Sequence, residues 1–303
     1  DARTNTEMGL LRSYIEIQKT TGSRPYTQDF TGTGRVDLQK AFVQFAGLTA
    51  GRAASMFDFY TGDHLSSVFE TAHSDTNINL LAYTFSFGNG ITATASIEDP
   101  STGNAGRYWA GPQSAEKMPD FVGNVNVTQS WGSAQVMGAI HQNYSSAAVV
   151  GGANTDKLGY AVGAGVKINL PMLGESDTLA LQGAYSKGAI SYVSPDWYFG
   201  QDFFTDGVSR IGQVSAWAIA GGMTHGWTKT VSSSFTASYA SYDEPAAFGL
   251  VDYKQFDVGG NVAWTPVTGL TVTGEVEYKY VDFAGPAANT HGLVGLMRVR
   301  RDF

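Results

Sequence analysis

The sequence contains no cysteine, few charged residues and no long apolar run. The absence of cysteine excludes disulfides, thiolate zinc sites and cysteine nucleophiles together. Charged residues make up 15% of the 303 residues, whereas soluble globular proteins carry roughly 25%. No stretch reaches the ~18 consecutive apolar residues that a membrane-spanning helix needs. These deficits leave two classes of fold, a soluble protein of unusual composition or a barrel.

The charge balance also removes one class of partner. Lys and Arg number 19 against 27 Asp and Glu, which gives a formal charge of −8, and the basic residues form no run. A nucleic-acid-binding surface needs a basic patch or stripe, so we exclude that function. Glycine is abundant, with 37 residues, but it follows no triplet repeat and only nine prolines accompany it. Neither a collagen helix nor a disordered linker fits this composition.

Apolar and polar residues alternate with a period of two along most of the chain. In residues 157–170 one parity is apolar, from Leu158 to Leu170, and the other is mainly Gly, Ala, Lys and Asn. Residues 91–98, 120–131 and 270–280 alternate in the same way. This period is typical of β-strands with two different faces, and no helical stripe of comparable length interrupts it.

The pattern predicts about fourteen long strands in one all-β domain over residues 1–303. Their predicted positions are 8–19, 34–46, 48–58, 77–87, 91–99, 120–131, 133–145, 157–170, 177–187, 213–227, 230–242, 254–265, 269–281 and 291–303. Brief turns such as 88–90 alternate with long connections such as 59–76 and 188–212. We therefore expect short turns at one end of the sheet and long loops at the other. Strands of ten or more residues are typical of transmembrane barrels.

The composition of the polar face distinguishes a soluble sandwich from a membrane barrel. It consists mostly of Ser, Thr, Gly, Ala, Asn and Gln, whereas the solvated face of a soluble sandwich is rich in charge. Trp217 and Trp227 share the apolar parity of one strand. Ten residues at ~3.3 Å each, tilted by ~40°, span ~25 Å of height, which is the separation of the two aromatic girdles of a membrane barrel. The sequence predicts a transmembrane antiparallel β-barrel with a hydrated lumen.

Several segments then carry a family resemblance. They are VDLQKAFVQFAGLTAGR at 36–52, AYTF at 82–85 before GNG at 88–90, LQGAYS at 181–186, GLTVT at 269–273 and a last strand ending VRRDF at 299–303. In this order they resemble the porin family of alphaproteobacteria, which are trimeric general-diffusion channels of the Gram-negative outer membrane. The last residue, Phe303, matches the family's assembly signal, whereas Arg301 departs from the hydrophobic residue often found two positions earlier.

The resemblance implies a fold and a function. Family members have sixteen strands, and the opening DARTNTEMG resembles the end of their second strand and the turn into the third. We therefore expect about two further N-terminal strands in the full protein, since an open sheet edge cannot face lipid. The implied function is passive diffusion of small hydrophilic solutes and ions, by a homotrimer among outer-membrane lipid and lipopolysaccharide. No cofactor and no metal are implied.

The resemblance also implies which residues form a pore constriction. The segment 59–77 corresponds to the third external loop, which in this family folds into the pore, and it contains Asp63, Glu70 and Asp75, with Asp58 at its root. Arg52 matches the constriction arginine of the opposite wall. Strand parity, independently of the family, directs Arg12, Arg298 and Arg300 toward the lumen. Acid on one side and base on the other would impose a transverse field; the alternative is that these charges are simply solvated lumen residues.

Three other functions stay open at this point. A substrate-specific channel of the same architecture would have the same composition. A barrel enzyme or adhesin is disfavoured, because the five histidines are scattered and no zincin, nucleophile-elbow or P-loop motif occurs; His225, on the apolar parity beside Trp227, is the residue to test for it. A soluble lectin-like sandwich would not need detergent. We expect a channel and not an enzyme.

Overall fold

The structure is a computed structural model that describes residues 1–20, 35–62, 71–100, 117–146, 154–174, 176–194, 201–206, 210–285 and 288–303. These residues are almost entirely β-structure. The strands are β1 Ala2–Thr6, β2 Gly9–Thr20, β3 Arg35–Phe45, β4 Leu48–Ala54, β5 Asn77–Gly88, β6 Ile91–Asp99, β7 Asp120–Gln129, β8 Gly132–Ser145, β9 Thr155–Asn169, β10 Thr178–Lys187, β11 Phe203–Thr205, β12 Ile211–Gln213, β13 Ser215–Gly226, β14 Val231–Asp243, β15 Tyr253–Val267, β16 Leu270–Phe283 and β17 Thr290–Arg301. No helix in these ranges has the length and apolarity to span a bilayer.

Fifteen strands form one antiparallel sheet in which each pairs with the next along the chain. The order runs from β1 to β10 and continues with β13 to β17, while β11 and β12 form a separate small hairpin. Among the described residues, most connections at one end of the sheet are tight turns, as at Gly88, Asn89 and Gly90, which all have positive φ. The all-β prediction is therefore confirmed. The sheet has one strand more than the fourteen predicted, namely Ala2–Thr6. It precedes the first predicted strand, in the segment that resembles the end of the family's second strand.

The two faces of the sheet have opposite character. Large apolar side chains are exposed on one face, for example Leu81, Tyr83 and Phe85 on β5, while small and polar residues on the other parity are buried. Glu98 and Asp120 are completely buried. A soluble protein places these classes the other way round. The apolar face is therefore an outer, lipid-facing surface and the polar face an inner one, as the period-two pattern predicts.

Two local departures from regular strands shape the inner face. Glu16 pairs with Lys40 but Ile17 pairs with Leu38, so Gln39 is an extra residue in a β-bulge. The bulge lets consecutive Gln39 and Lys40 both contact inner-face partners, Gln18 and Glu16 respectively. The strand predicted at 48–58 ends earlier, at Ala54, because the chain turns inward there.

Candidate functional site

The segment that follows β4 leaves the sheet and enters the interior. Ser55 Oγ donates a hydrogen bond of 2.7 Å to Glu98 Oε2, and the backbone amide of Met56 donates one of 2.9 Å to Glu98 Oε1. Glu98 lies on the inner face of β6 and is inaccessible to solvent. Its carboxylate therefore accepts one side-chain and one backbone hydrogen bond at the point at which the chain turns inward.

The same segment then crosses the inner face strand by strand. Asn124 Nδ2 on β7 donates to Met56 O at 2.6 Å, and Gln135 Nε2 on β8 donates to Asp58 O at 3.3 Å. Tyr60 N donates to Gln182 Oε1 on β10 at 3.0 Å. A short segment that meets β6, β7, β8 and β10 in turn requires a sheet that curls around it.

Glycines on the inner face make room for this crossing. A Cβ at Gly165 on β9 would lie 2.4 Å from the ring of Phe59, and one at Gly222 on β13 would lie 2.0 Å from Tyr60 Oη. A side chain at position 165 would displace the Phe59 ring, and one at position 222 would also meet the backbone oxygen of Phe235 at 2.7 Å. The Tyr60 hydroxyl reaches as far as Thr236 Oγ1 on β14, at 3.4 Å.

The return limb of the segment, residues 71–76, is tied to the far wall and to the outgoing limb. The amide of Ala72 donates to Ser238 Oγ on β14 at 2.9 Å. Asp58 accepts a hydrogen bond from Ser74 Oγ, and its other oxygen accepts one of 2.8 Å from the amide of Thr76. Asp58 therefore joins the two limbs. We call residues 55–62 and 71–76 together the infolded segment.

A second inward excursion, residues 188–194, supports the first. Tyr192 is fully buried, and its ring meets that of Phe57 edge-on at 4.8 Å. Its hydroxyl donates to Asp120 Oδ2 at 2.6 Å, while His141 Nδ1 lies 2.7 Å from Asp120 Oδ1. His141 Nε2 lies 3.6 Å from Asp202 Oδ2. This buried network connects β7, β8 and the second excursion to the infolded segment.

The inner face of β15 and β16 carries further buried charge beside the return limb. Asp257, Glu275, Glu277 and Lys279 are all at least nine-tenths buried, and Lys279 Nζ lies 3.6 Å from Asp257 Oδ1. Ser238, which holds Ala72, also donates to Asp257 Oδ2 at 3.2 Å. We call the inner face from β6 to β16 the anchored wall, because its side chains are occupied by packing and hydrogen bonding.

The inner face of β2, β3 and β17 is more open, and we call it the open wall. The side chains of Arg12, Lys40 and Glu16 keep 28%, 33% and 44% of their exposure. Arg12 lies over the rings of Tyr14 and Phe42 and donates to Asp1 and Gln44 at 3.1 Å each. Arg298 and Arg300 pair with Thr273 and Thr271, which are inner-face positions.

The structure places the predicted constriction residues on different surfaces. Arg12, Arg298 and Arg300 lie on the inner face, as their parity predicts. Asp75 lies exposed in the return limb, and Asp58 is engaged within the infolded segment. Asp63 and Glu70 fall outside the described residues. That the acidic and basic groups face each other across a constriction stays a prediction.

Arg52 is the exception, because its position on β4 has the parity of the outer face, and its role in the constriction stays a prediction. It pairs with Ala41 and Asn79, and it shares the parity of Leu48, which is exposed on the outer face. Its Nε donates to Leu38 O at 3.0 Å. The inner-face positions of β4 are instead Thr49, Gly51 and Ala53. Because side chains alternate along a strand, a motif that is correct to one residue can still assign the wrong face.

Sequence reasoning missed the groups that hold the infolded segment. Glu98, Gln135 and Gln182 lie on the polar parity of predicted strands, and so does Asp120 at the start of one. Parity alone could have nominated them as inner-face residues. Nothing in the sequence indicates which of them meet residues 55–60, because these contacts join positions up to 122 residues apart.

Titratable groups with shifted pKa values also lie outside the interior, at the two ends of the sheet. Asp177, just before β10, accepts hydrogen bonds from the amide of Gly226 and from His225, and these lower its pKa. His225 also meets Trp227 edge-on at 4.4 Å, as expected of a residue in an aromatic girdle. At the opposite rim, burial and the nearby Asp252 raise the pKa of Glu244 to about 7.

Relatives of known name share this sequence pattern over nearly its whole length. A family model described as the porin subfamily matches residues 1–292. Porin Omp2b of Brucella canis and Porin Omp2b of Brucella abortus are each 26% identical over 313 residues, an alignment that covers 99% of this chain and 74% of the relative.

Solved structures share the fold. The outer membrane channel DcaP of Acinetobacter baumannii superimposes with a TM-score of 0.79 at 18% identity, covering 99% of this chain and 83% of that one. The anion-selective porin from Comamonas acidovorans gives a TM-score of 0.52 at 13% identity, covering 89% and 79%. The trimer form of OmpT from Vibrio cholerae gives 0.55 at 12%, covering 98% and 87%. The chain belongs to the porin subfamily and is an outer-membrane β-barrel diffusion channel.

Proposed function

We propose that the channel passes small hydrophilic solutes and ions passively through a water-filled lumen, and that the infolded segment narrows this lumen near mid-height. The observation that carries the proposal is the hydrogen-bonded crossing of the interior from Glu98 on β6 to Ser238 on β14. A barrel of sixteen to eighteen strands leaves an aqueous channel unless something fills it. A segment fixed at both ends of its crossing reduces that channel without closing it.

The open path lies between the infolded segment and the open wall. Anchored-wall residues such as Gln182 and Asp257 are at least nine-tenths buried, whereas the side chains of Arg12, Lys40 and Glu16 keep between 28% and 44% of their exposure. Solutes would therefore pass Arg12, Lys40, Arg298 and Arg300 on one side. On the other side they would pass the return limb, with exposed Asp75 and, as the sequence predicts, Asp63 and Glu70.

This arrangement supports a transverse field across the narrow zone. The arginines of the open wall, partly offset there by Asp1, Glu16 and Asp302, would face the carboxylates of the return limb. Such a field orients dipolar solutes and sets a weak ion preference, because the low-dielectric walls focus it. Asp58 contributes mainly by holding the two limbs together, since both of its oxygens accept hydrogen bonds. The preference therefore depends on few groups, and single substitutions can measure it.

The proposed assembly is a homotrimer surrounded by outer-membrane lipid and lipopolysaccharide. Support comes from the resemblance to trimeric porins and from the neighbour that is described in a trimer form, OmpT of Vibrio cholerae. Three channels in one particle would close in three equal steps, which gives the assembly its own readout in a conductance record.

The experiment is planar-bilayer conductance of the purified protein in a salt gradient, compared with a variant that lacks the infolded segment. The amide of Ser55 lies 2.9 Å from Thr76 O, so a Gly-Gly turn can replace residues 57–74 without spreading the strands. We expect large ohmic currents from the wild type and about twofold or more conductance from the variant. A matched control replaces residues 245–251, between β14 and β15, by the same turn.

The outcomes separate the alternatives. Equal conductance in wild type and variant, with the control unchanged, would contradict a constricting role for the infolded segment. Saturable block by one solute class would identify a substrate-specific channel. Silence from folded protein would contradict the diffusion function and make His225 the next residue to test.

A further inference from the structure

Two kinds of paired side chains lie next to each other on the open wall. Glu16 on β2 is directly opposite Lys40 on β3, and Tyr14 is directly opposite Phe42. Inner-face positions of one strand are two residues, or ~6.6 Å, apart, so the aromatic pair lies one step from the ion pair, toward the short turns. The Tyr14 hydroxyl connects the two pairs by donating to Glu16 Oε2 at 3.0 Å. We call these four residues the layered site.

The ion pair of the layered site is loose. Lys40 Nζ lies 3.7 Å from Glu16 Oε2, which is longer than a hydrogen bond, and the two side chains keep 33% and 44% of their exposure. Exposed pairs of this geometry contribute little to stability, because water screens the two charges. Each charge can therefore turn to a solute that brings the opposite charge, at small cost to the fold.

A β-bulge places this ion pair level with the infolded segment. Gln39 is the extra residue of β3, and Lys40 beside it contacts the same face of the sheet. Gln39 Oε1 accepts a hydrogen bond of 3.5 Å from Asn77 Nδ2, and Asn77 directly follows the return limb. Bulges commonly re-aim a side chain next to a functional site. The layered site therefore lines the open path beside the end of the infolded segment.

The aromatic pair gives the site an apolar side. The rings of Tyr14 and Phe42 are stacked, with centroids 5.2 Å apart and planes 19° apart, and both residues are only partly buried. Arg12 occupies the next inner-face position toward the turns, and its guanidinium lies 5.2 and 5.4 Å from the two ring centroids. An aromatic or large apolar group of a solute can pack against the part of the rings that stays exposed.

A zwitterionic α-amino acid matches the two layers together. Its carboxylate and its ammonium group are attached to one carbon atom, so they can form charge-assisted hydrogen bonds with Lys40 and Glu16 at once. The four groups then make a ring of alternating charges. The side chain of the amino acid leaves the same carbon atom and reaches the aromatic pair one step along the strand. A solute with a single charge satisfies only one member of the ion pair.

We propose that the layered site recognises zwitterionic amino acids with aromatic or large apolar side chains as they pass through the channel. This inference rests on the proposed diffusion function and names the solute class that the narrow zone retains. The retention is weak, because a channel site must release its solute as readily as it takes it up. Recognition therefore reduces the ionic current at a saturable solute concentration without closing the channel.

The test is the planar-bilayer current of the wild type at neutral pH, titrated with solutes that separate the two layers. We expect L-phenylalanine to reduce the current saturably. Glycine keeps both charges and lacks the ring, whereas 3-phenylpropionate and phenethylamine keep the ring and one charge each. Each of these three is expected to need a concentration about fivefold higher, or more, for the same reduction. Equal effects of all these solutes would overturn the proposal.

Substitutions in the ion pair are expected to exchange the preferred solute. Lys40→Met leaves the Glu16 carboxylate, so phenethylamine should become at least as effective as L-phenylalanine. Glu16→Gln leaves the Lys40 ammonium group and should favour 3-phenylpropionate in the same way. Tyr14→Ala should bring L-phenylalanine down to the level of glycine. The matched control is Lys167→Met, which removes a lysine from the inner face of β9, opposite Ala180, and should keep the wild-type order of solutes.

The failure of this inference differs from the failure of the diffusion function. A folded wild type that carries no current in salt alone refutes the diffusion function and, with it, the layered site. A conducting wild type that responds alike to L-phenylalanine and glycine refutes only the site. A reduction by L-phenylalanine that persists undiminished in conducting Lys40→Met and Glu16→Gln variants would place the recognition elsewhere in the lumen, and this also rejects the proposal.

Discussion

The anchored wall and the open wall are built from the same alternation and have similar polar residues, yet their roles differ. On the anchored wall Glu98 and Asp120 are completely buried and hold inward-folded chain, whereas on the open wall Arg12 keeps 28% of its exposure. The difference lies in what covers each wall. Strand parity therefore determines that a side chain points inward, and the path of the infolded segment determines whether it serves structure or conduction.

The largest effect is expected from Glu98→Leu on the anchored wall. This change removes the acceptor for Ser55 Oγ and for the amide of Met56, and each unsatisfied buried donor costs about 1–3 kcal/mol. We expect a less stable barrel with higher and noisier open-channel current, measured by thermal unfolding and in planar bilayers. The control is Asp156→Leu. Asp156 is the second residue of β9, and its carboxylate accepts a hydrogen bond from Gln142 on β8, away from the infolded segment. A quiet channel of unchanged conductance would contradict anchoring by Glu98.

A smaller loss is expected from Tyr192→Phe. The edge-on contact with Phe57 is kept and the hydrogen bond from the hydroxyl to Asp120 is lost, so we expect destabilisation of about 1–2 kcal/mol. The measurement is urea unfolding of the folded protein in detergent. Tyr192→Leu should cost more, since it removes the ring as well. Equal stability of the two variants would show that the aromatic contact does not support the infolded segment.

On the open wall, Arg12→Ala is expected to change selectivity more than stability. Its removal takes one cation from the lumen, so the reversal potential in a salt gradient should move toward cations. Arg52→Ala is the matched comparison, because it removes the same side chain from the outer face. We expect no movement of the reversal potential with Arg52→Ala. A shift from Arg52→Ala equal to that from Arg12→Ala would reverse the assignment of faces.

The smallest effect is expected at the rim above the anchored wall, from Glu244→Gln. Because the pKa of Glu244 is raised to about 7, the folded protein keeps a proton that the unfolded chain releases at lower pH. Stability should therefore fall as the pH rises from the ordinary glutamate range toward 7, and the glutamine variant should lack this fall. Limited proteolysis between β14 and β15 is expected to be slower in the variant at pH 8 and equal at pH 5. The reverse order would contradict the burial of Glu244.

The sequence predicts the outer surface well and the interior contacts poorly, for a physical reason. The strand carrying Trp217 and Trp227 and the inner-face position of Arg12 follow from a local period of two. The role of Asp58 does not, because it depends on Ser74 and Thr76, which return to it after a long excursion. Arg52 shows that a resemblance can locate a residue on a strand without determining which face it occupies. The face follows from the pairing of Arg52 with Ala41 and Asn79, which the sequence does not give.

Alternation also governs the export of the chain before it folds. Apolar residues occupy most alternate positions of the strands, so the folded sheet has a predominantly apolar outer face although no linear segment is apolar throughout. The machinery that moves unfolded chains across the inner membrane retains segments that resemble a membrane-spanning helix, which needs about 20 predominantly apolar residues. This polypeptide offers none, and its lipid-compatible surface comes into existence only on folding. An insertion that created a run of about 20 predominantly apolar residues would be expected to arrest the protein at the inner membrane.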